Sequence, residues 1–578
     1  MRISDYIVEY LIKKGITDTF GYPGGMVTQL MESFRKYRDQ ISAHVTCHEQ
    51  GAAFAACGYA QGSGKIGVAY ATSGPGATNL ITGICNAYFD SIPTLFITGQ
   101  VNTMEARGTL DIRQRGFQET DIVSMVKPVT KYAAYVENPF KIKYYLDIAF
   151  TKAKENRMGP VLLDIPMNIF SAEVDVDKLE GISVHETQLP LPRLTQSIAI
   201  LENALNASRC PCIIIGNGVK AAQCQAEMKH IVEKYDIPVV TSMIAFDVFD
   251  SYPHNYGFIG AYGDRAANFI VAKSDLIISV GSRLDVRQVG GKRTAFAPNA
   301  KLIRFDVDPG ELEYSVHNDE IKFCLEMHDT IHLLDSIRIS KNFDPWISLC
   351  DKIRNLLYNI DQSNTRKIIE QLSAYVGENT IITTDVGQNQ VWIAQFFRLK
   401  KGQKVLFSGG HGAMGYSLPA AIGACYAHEK RPTICITGDG GLQMNIQELQ
   451  FVARERLPIK IVVLNNNSLG MIRHFQEMYF NGQYFQTKPE GGYTAPNFSK
   501  IAQAYGIESV RILDDLSPAK MMLSGNEPTL TEILIKENTY VFPKLEFGKP
   551  NQDQEPLIDR DLYEKIMKME IDNFPFNN

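Results

Sequence analysis

The sequence predicts an α/β protein made of three doubly wound parallel-sheet domains. Three observations carry this. Short apolar runs repeatedly end in a glycine-rich or polar turn that opens into helical periodicity, the signature of βαβ units. The length, 578 residues, suits about three to four domains of ordinary size. The first and last thirds of the chain also read as variations on one architecture.

The first domain is assigned to residues 1–180. A helix over 5–14 places Ile7, Val8, Leu11 and Ile12 on one face. Thr19-Phe20 then enters the loop Gly21-Tyr22-Pro23-Gly24-Gly25. A buried strand over 67–72 leads into Ser73-Gly74-Pro75-Gly76 and a helix from about Ala77. Further strands are expected over 93–98 and 160–165. Leu189-Pro190-Leu191-Pro192 reads as a linker. The central domain, 190–345, has strands over 212–215, 238–241, 276–280 and 302–306. The third domain, 360–545, has strands over 380–384, 433–437 and 459–464. The tail, 546–578, is rich in Pro, Asp, Glu and Gln before a short amphipathic helix near 562–569, and is expected to cover the surface or act as a lid.

Composition narrows the function classes. Apolar residues are 45% and charged residues 21% of the chain, ordinary for a globular enzyme with a large core. A net charge of −6 without long single-sign runs argues against nucleic acid or an anionic membrane as the main partner. The ten cysteines lie mostly in apolar stretches, such as Cys425 and Cys435, and read as buried thiols of a reducing compartment. Met1 runs directly into an amphipathic helix, and no apolar run approaches 18 residues. The expectation is therefore a cytoplasmic protein with no signal peptide and no membrane span.

The richest chemistry lies in the third domain. Gly438-Asp439-Gly440 follows the apolar run 433–437, and the run 459–464 ends in Asn465-Asn466-Asn467, with Asn466 27 positions after Asp439. Strand, glycine turn, helix, strand and polar turn form a parallel βαβ unit, which binds ligands at the carboxyl ends of its strands. A carboxylate and an amide oxygen there are hard ligands of the kind Mg²⁺ takes together with substrate phosphates. A second notable site is Glu49 in His48-Glu49-Gln50-Gly51-Ala52-Ala53, a carboxylate opening a small-residue helix. A favourable interaction with the helix dipole would explain it equally well on local grounds.

Together these features resemble the thiamine diphosphate fingerprint, a Gly-Asp-Gly followed some 25 to 30 residues later by Asn-Asn. More specifically, several stretches are similar to those of acetolactate synthases. They are Phe20-Gly21-Tyr22-Pro23-Gly24-Gly25, Cys47-His48-Glu49-Gln50, Thr72 to Asn79, Phe117-Gln118-Glu119-Thr120, Thr130-Lys131 and Gly412-Ala413-Met414-Gly415 with Leu418 to Ala424. The resemblance runs from residue 3 to about 545, in family order.

It implies that Asp439, Asn466 and the Ser468 carbonyl hold Mg²⁺ against the diphosphate, and that Glu49 faces N1′ of the aminopyrimidine. Pro23, Gly24 and Gly25 belong to the pyrimidine-binding loop. Gly387, Gln388 and Asn389 form a turn at the diphosphate, with Gly412, Gly438, Gly440 and Gly441 around it. Gly470 and Met471 close the metal loop, and Met414 wedges between the cofactor rings. Phe117 and Gln118 are expected from a neighbouring subunit, in a homodimer or homotetramer with active sites between subunits and room for a small regulatory subunit.

In the central domain, Gly216-Asn217-Gly218-Val219-Lys220-Ala221 fits a dinucleotide turn. The resemblance implies FAD there, held by Gly216, Gly218, Arg283 and Asp306. Arg287 is suited to gripping a carboxylate. Five departures from the family pattern stand out: Phe475 for a usual Trp, Met167 for a usual Lys, Val286 within a usual Asp-Asp-Arg, Asn389 for a usual His, and a longer tail. They cluster on the acceptor side. The resemblance thus implies decarboxylation of a 2-keto acid, pyruvate first, and carboligation to an acceptor carbonyl. A second pyruvate gives 2-acetolactate; a ketosugar acceptor, or plain decarboxylation or oxidation, is the alternative.

Overall fold

The computed structural model describes residues 1–182 and 191–571. They form two compact units. The first unit holds two six-stranded sheets and the second holds one, and every strand pair is parallel. The expected three parallel sheets are present.

The first sheet contains β1 (Asp18–Gly21), β2 (Ser42–Val45), β3 (Gly67–Ala71), β4 (Thr94–Gln100), β5 (Tyr132–Tyr135) and β6 (Pro160–Pro166). Its order is β2-β1-β3-β4-β6-β5. The second contains β7 (Pro211–Ile215), β8 (Val239–Thr241), β9 (Asn255–Phe258), β10 (Leu276–Val280), β11 (Lys301–Asp306) and β12 (Ile321–Cys324), in the order β12-β11-β10-β7-β8-β9. The third contains β13 (Ile381–Thr384), β14 (Lys404–Leu406), β15 (Thr433–Gly438), β16 (Ile459–Asn465), β17 (Glu508–Ile512) and β18 (Thr529–Leu534), in the order β14-β13-β15-β16-β18-β17. The first and third sheets are therefore wound identically. The order reverses between β1 and β3, between β7 and β10, and between β13 and β15, and such reversals open ligand crevices at the strands' carboxyl ends.

Within the first unit the two sheets meet through two helices, Glu49–Ser63 and Ser417–Ala427. Both are rich in small residues and buried almost throughout. Gly58 lies against the Ala420 carbonyl, and Gly423 against the Ala55 carbonyl, so closely that a Cβ at either would collide with backbone. Glycine permits this approach, and Phe20, Tyr59, Leu418, Ile422 and Phe451 pack around it in one shared core.

The second unit has its own core around Ile213, Ile215, Ile278 and Phe305 on one face of its sheet, with Ile214, Phe269 and Trp346 on the other. The chain's tail belongs to this unit. Its helix, Arg560–Lys568, buries Ile566, and Ile558 joins the same core. Arg265 donates to the carbonyls of Gln554 at 3.0 Å and Pro556 at 2.8 Å. The tail is thus an integral layer of the second unit. Of the expected linker, residues 189 and 190 lie outside the described residues, and the helix Leu191–Ala207 starts within it. No helix among the described residues is long and apolar enough to cross a membrane.

Candidate active site

The crevice between β13 and β15 gathers the diphosphate-site candidates. Asp439 follows β15 at the first position of a short helix and is 4% exposed. Its carboxylate accepts from the Gly440 N–H at 2.8 Å and from the Ser468 N–H at 3.2 Å. Burial pushes its carboxyl up to about 6, against these hydrogen bonds. Asn466, just past β16, donates its amide to Gln388 Oε1 at 2.8 Å. Its own amide oxygen is thereby left as the group that can bind. The Ser468 hydroxyl donates to the Thr487 carbonyl at 2.9 Å, and the Ser468 carbonyl accepts from the Gly470 N–H at 2.9 Å, keeping one lone pair. Gly470 sits so close to the Gln388 amide that a Cβ there would displace the group that holds Asn466.

Met414 reaches the same turn. Its Cε and Leu469 Cδ2 each come within 3.0 Å of where a Gly440 Cβ would stand, with the Tyr493 hydroxyl at 3.3 Å. Gly387 has a φ of +132° and Gly412 a φ of +70°, backbone open to glycine. Asn389 accepts from the Asp385 N–H at 3.1 Å, and its amide nitrogen lies 3.4 Å from the Cβ position of Gly438. Met471 follows in the helix Gly470–Tyr479. Phe475, on the same helix, packs against Tyr479 with ring centroids 4.7 Å apart and the planes tilted by 50°.

Asp385 organises this crevice, and the sequence reading passed over it. It is fully buried at the end of β13. Its carboxylate accepts from the N–H groups of Val386, Gly415 and Ser417 at 3.0 Å each and from the Ser417 hydroxyl at 2.7 Å. Burial raises its carboxyl. Gly441 packs against it at 2.6 Å from its Cβ position. The signal was present: an acid closing a strand, just before a glycine turn.

Glu49 opens its helix and is 8% exposed. Its Oε2 accepts from the Asn79 amide at 2.9 Å, and its Oε1 lies 3.2 Å from the Cβ position of Gly76. Pro23 and Gly24 follow β1, Gly25 starts a short 3-10 helix, and Gly24 packs on Thr72. The buried Ser73 hydroxyl has no partner. Gln118, with a φ of +62°, brings its Cβ within 2.9 Å of the Cβ position of Gly74. Phe117 beside it is 79% exposed. No hydrogen bond among the described residues joins Glu49 to Asp439 or Asn466.

In the second unit, Gly216 and Gly218 face the β10 turn, where the Gly218 N–H donates to the Gly281 carbonyl at 3.0 Å. Their smallness is required by this loop contact itself. Arg283 pairs with Asp285 at 3.0 Å and Glu311 at 3.7 Å. Asp306 accepts from the Asp308 N–H at 3.0 Å. Arg287 lies in the short helix Val286–Val289, and its carbonyl accepts from the Ala261 N–H at 2.8 Å. The Thr241 and Ser242 hydroxyls at the end of β8 are buried without partners.

Three family models match the chain. The N-terminal thiamine pyrophosphate binding domain covers residues 1–125, the central domain of thiamine pyrophosphate enzymes covers 198–334, and the C-terminal thiamine pyrophosphate binding domain covers 385–533. The acetolactate synthase large subunit of Lactococcus lactis subsp. lactis (strain IL1403) is 35% identical over 569 residues, 94% of each chain. This chain belongs to the acetolactate synthase family of thiamine diphosphate-dependent enzymes. The acetolactate synthase isozyme 2 large subunit of Escherichia coli (strain K12) is 34% identical over 563 residues, 96% of this chain and 99% of that one. A probable acetolactate synthase large subunit of Methanocaldococcus jannaschii is 35% identical, covering 93% of this chain and 92% of the relative.

The residues present fit the family's cofactor. Asp439, Asn466 and the Ser468 carbonyl offer hard oxygens, and no cluster of three or more His, Cys, Asp or Glu able to hold a metal exists among the described residues. A cation held by one carboxylate and two neutral oxygens needs further charge from its ligand, which a diphosphate provides.

Proposed function

We propose that this chain catalyses acetolactate formation: two pyruvate anions and one proton give 2-acetolactate and CO₂. The observation that carries the reading is the convergence of Asp439, Asn466 and Ser468 on the ends of β15 and β16, with Gln388 fixing the Asn466 amide at 2.8 Å. The names of the relatives supply the substrate.

Thiamine diphosphate, when bound, supplies the electron sink for breaking and remaking the carbon–carbon bond. The chain's own residues do the rest. Asp439, Asn466 and the Ser468 carbonyl would hold Mg²⁺ and through it the diphosphate. Glu49, held by Asn79, would share a proton with N1′ of the aminopyrimidine. Met414 would prop the cofactor in its bent shape. Gly24, Gly25, Gly387, Gly412, Gly438, Gly440 and Gly441 keep backbone close to the ligand. Arg287 would grip the substrate carboxylate with its planar fork of donors. Phe117 and Gln118 would face a second copy of the chain, in a homodimer or homotetramer, with a small regulatory subunit as a further partner. FAD would occupy the crevice between β7 and β10, near Gly216, Gly218, Arg283 and Asp306. The site of action is the cytoplasm.

Purified protein supplied with thiamine diphosphate, Mg²⁺, FAD and pyruvate should release CO₂ and form acetolactate in equal amounts, the latter measured as acetoin after acid treatment. CO₂ without acetolactate would overturn the choice of acceptor. No CO₂ from pyruvate or any simple 2-keto acid would overturn the reading entirely.

A further inference from the structure

The first unit contains two reciprocal clasps. Glu448, buried at 0% exposure, extends its carboxylate from the third-sheet half to the first-sheet half, where it accepts from the Cys47 N–H at 3.0 and 3.2 Å and from the His48 N–H. Three residues earlier, Asn445 donates to Gln50 Oε1 at 3.0 Å and to the Gly415 carbonyl at 2.9 Å. The residues on both sides of Glu49 are therefore tied to the opposite half. Gly51 makes room: a Cβ there would strike the Glu448 carboxylate.

The converse clasp runs the other way. Asp90, at the end of the helix Ile81–Phe89, accepts from the N–H groups of Gly409 at 3.1 Å and Gly410 at 2.6 Å. Four residues earlier, Asn86 Oδ1 accepts from the Ser408 hydroxyl at 2.6 Å. These contacts fix the start of the loop that carries Met414. In each direction an amide residue and a carboxylate, three or four positions apart, hold the loop leading to one of the two packed helices.

We propose that Glu448 and Asp90 are positioning residues, through which each half of the unit sets the place of the other's cofactor-facing group, Glu49 or Met414. Two physical reasons support a positioning role. A buried backbone N–H needs an acceptor, and a buried carboxylate that takes two of them, at Cys47 and His48 or at Gly409 and Gly410, forms charge-assisted bonds and is sterically fixed. Among the described residues Asn79 is the one side chain that hydrogen-bonds Glu49, so the location of Glu49 follows the backbone turn that Glu448 holds. The inference rests on the proposal that Glu49 serves thiamine diphosphate.

The test measures hydrogen–deuterium exchange at C2 of bound thiamine diphosphate by acid quench and NMR, with cofactor affinity measured separately by fluorescence titration. Glu448→Ala should slow exchange about 10- to 100-fold, the loss expected for a group displaced by about 1 Å, while cofactor affinity holds within about threefold. Glu448→Gln, which keeps an acceptor oxygen, should recover most of the rate. Asp90→Ala should instead weaken cofactor binding, with Asp90→Asn intermediate. Wild-type exchange in cofactor-loaded Glu448→Ala would overturn the inference. If Glu448→Ala does not fold, Asn445→Ala gives the same reading from the neighbouring tie, and an unchanged rate there overturns it. Glu49→Gln is the control: normal exchange in that variant would refute the role of Glu49 and the inference with it, whereas slowed exchange there beside wild-type exchange in Glu448→Ala would refute the inference alone.

Discussion

Asn466 donates its amide hydrogen to Gln388 Oε1 at 2.8 Å, a bond that links β16 to the turn after β13. It commits the nitrogen of Asn466 and orients its oxygen. With Asn466 as the proposed Mg²⁺ ligand, Gln388→Ala should lower Mg²⁺ affinity about 10- to 100-fold, the usual cost of removing a residue that orients a metal ligand. A Mg²⁺ titration of cofactor-induced fluorescence change would show it. An unaltered titration would mean that packing alone orients the amide.

Asp439→Ala should abolish Mg²⁺-dependent binding of thiamine diphosphate, read as loss of the cofactor's thermal shift with the unliganded melting temperature retained. In the wild type the carboxyl sits at about 6. A cation binds only the ionised form, so affinity should fall as pH drops below about 6 and level off above it. A flat profile from pH 5 to 7 would contradict the environment described for this group.

Gly58→Ala places a methyl against the Ala420 carbonyl at the centre of the first unit. Neither helix can yield without unpacking the other. The variant should lose about 1–3 kcal/mol or more in urea denaturation, the range for overpacking a close-packed core. A loss under about 0.5 kcal/mol would show that the two helices separate easily.

Asp164 is 2% exposed on β6, where it accepts from the Thr98 hydroxyl at 2.7 Å and the Gln100 amide at 3.0 Å. Burial pushes its carboxyl up to about 7. A carboxyl raised in the folded state is stabilising while protonated, and that stability is lost as pH rises from the unfolded value near 4 through about 7. Asp164→Asn should remove this part of the pH dependence, at about 1.4 kcal/mol for each pH unit separating the two values, as an upper bound. Denaturation curves at pH 4.5 and 7.5 would reveal it; identical pH dependence in both proteins would show that Asp164 stays ionised.

Much of the fold was legible because its central strands are buried on both faces and read as unbroken apolar runs. β3, β4, β6, β7, β10, β15 and β16 all fall where such runs stand. The strands that escaped the reading include all six sheet edges: β2, β5, β9, β12, β14 and β17. Their burial is partial, as in the alternation of β12 or the half-exposed β5, so their sequences lack the apolar continuity that marks the interior. The short β1 and the mixed Thr529–Leu534 of β18 were lost for the same lack of pattern. At the candidate site, the proposed residues are those with a local signature: Asp439 in its glycine turn, Asn466 in its asparagine run, Glu49 at its helix start. Asn445 and Glu448 were not legible, because their work is done on segments distant in the chain, and Asp385 carried a local sign, an acid closing a strand, without the partners at Gly415 and Ser417 that give it meaning. Glu448 reaches Cys47 across 401 positions.

The pairing of Glu49–Ser63 with Ser417–Ala427 also shapes how the protein is made. The first of these helices leaves the ribosome with its alanine and glycine face complete, but its counterpart begins only at Ser417. At about 5–20 residues per second, the exposed face waits on the order of tens of seconds for cover. During that interval the nascent chain presents an apolar surface suited to chaperones and to other nascent copies, while the second unit, most of whose core lies between, still waits for the tail that carries Ile558 and Ile566.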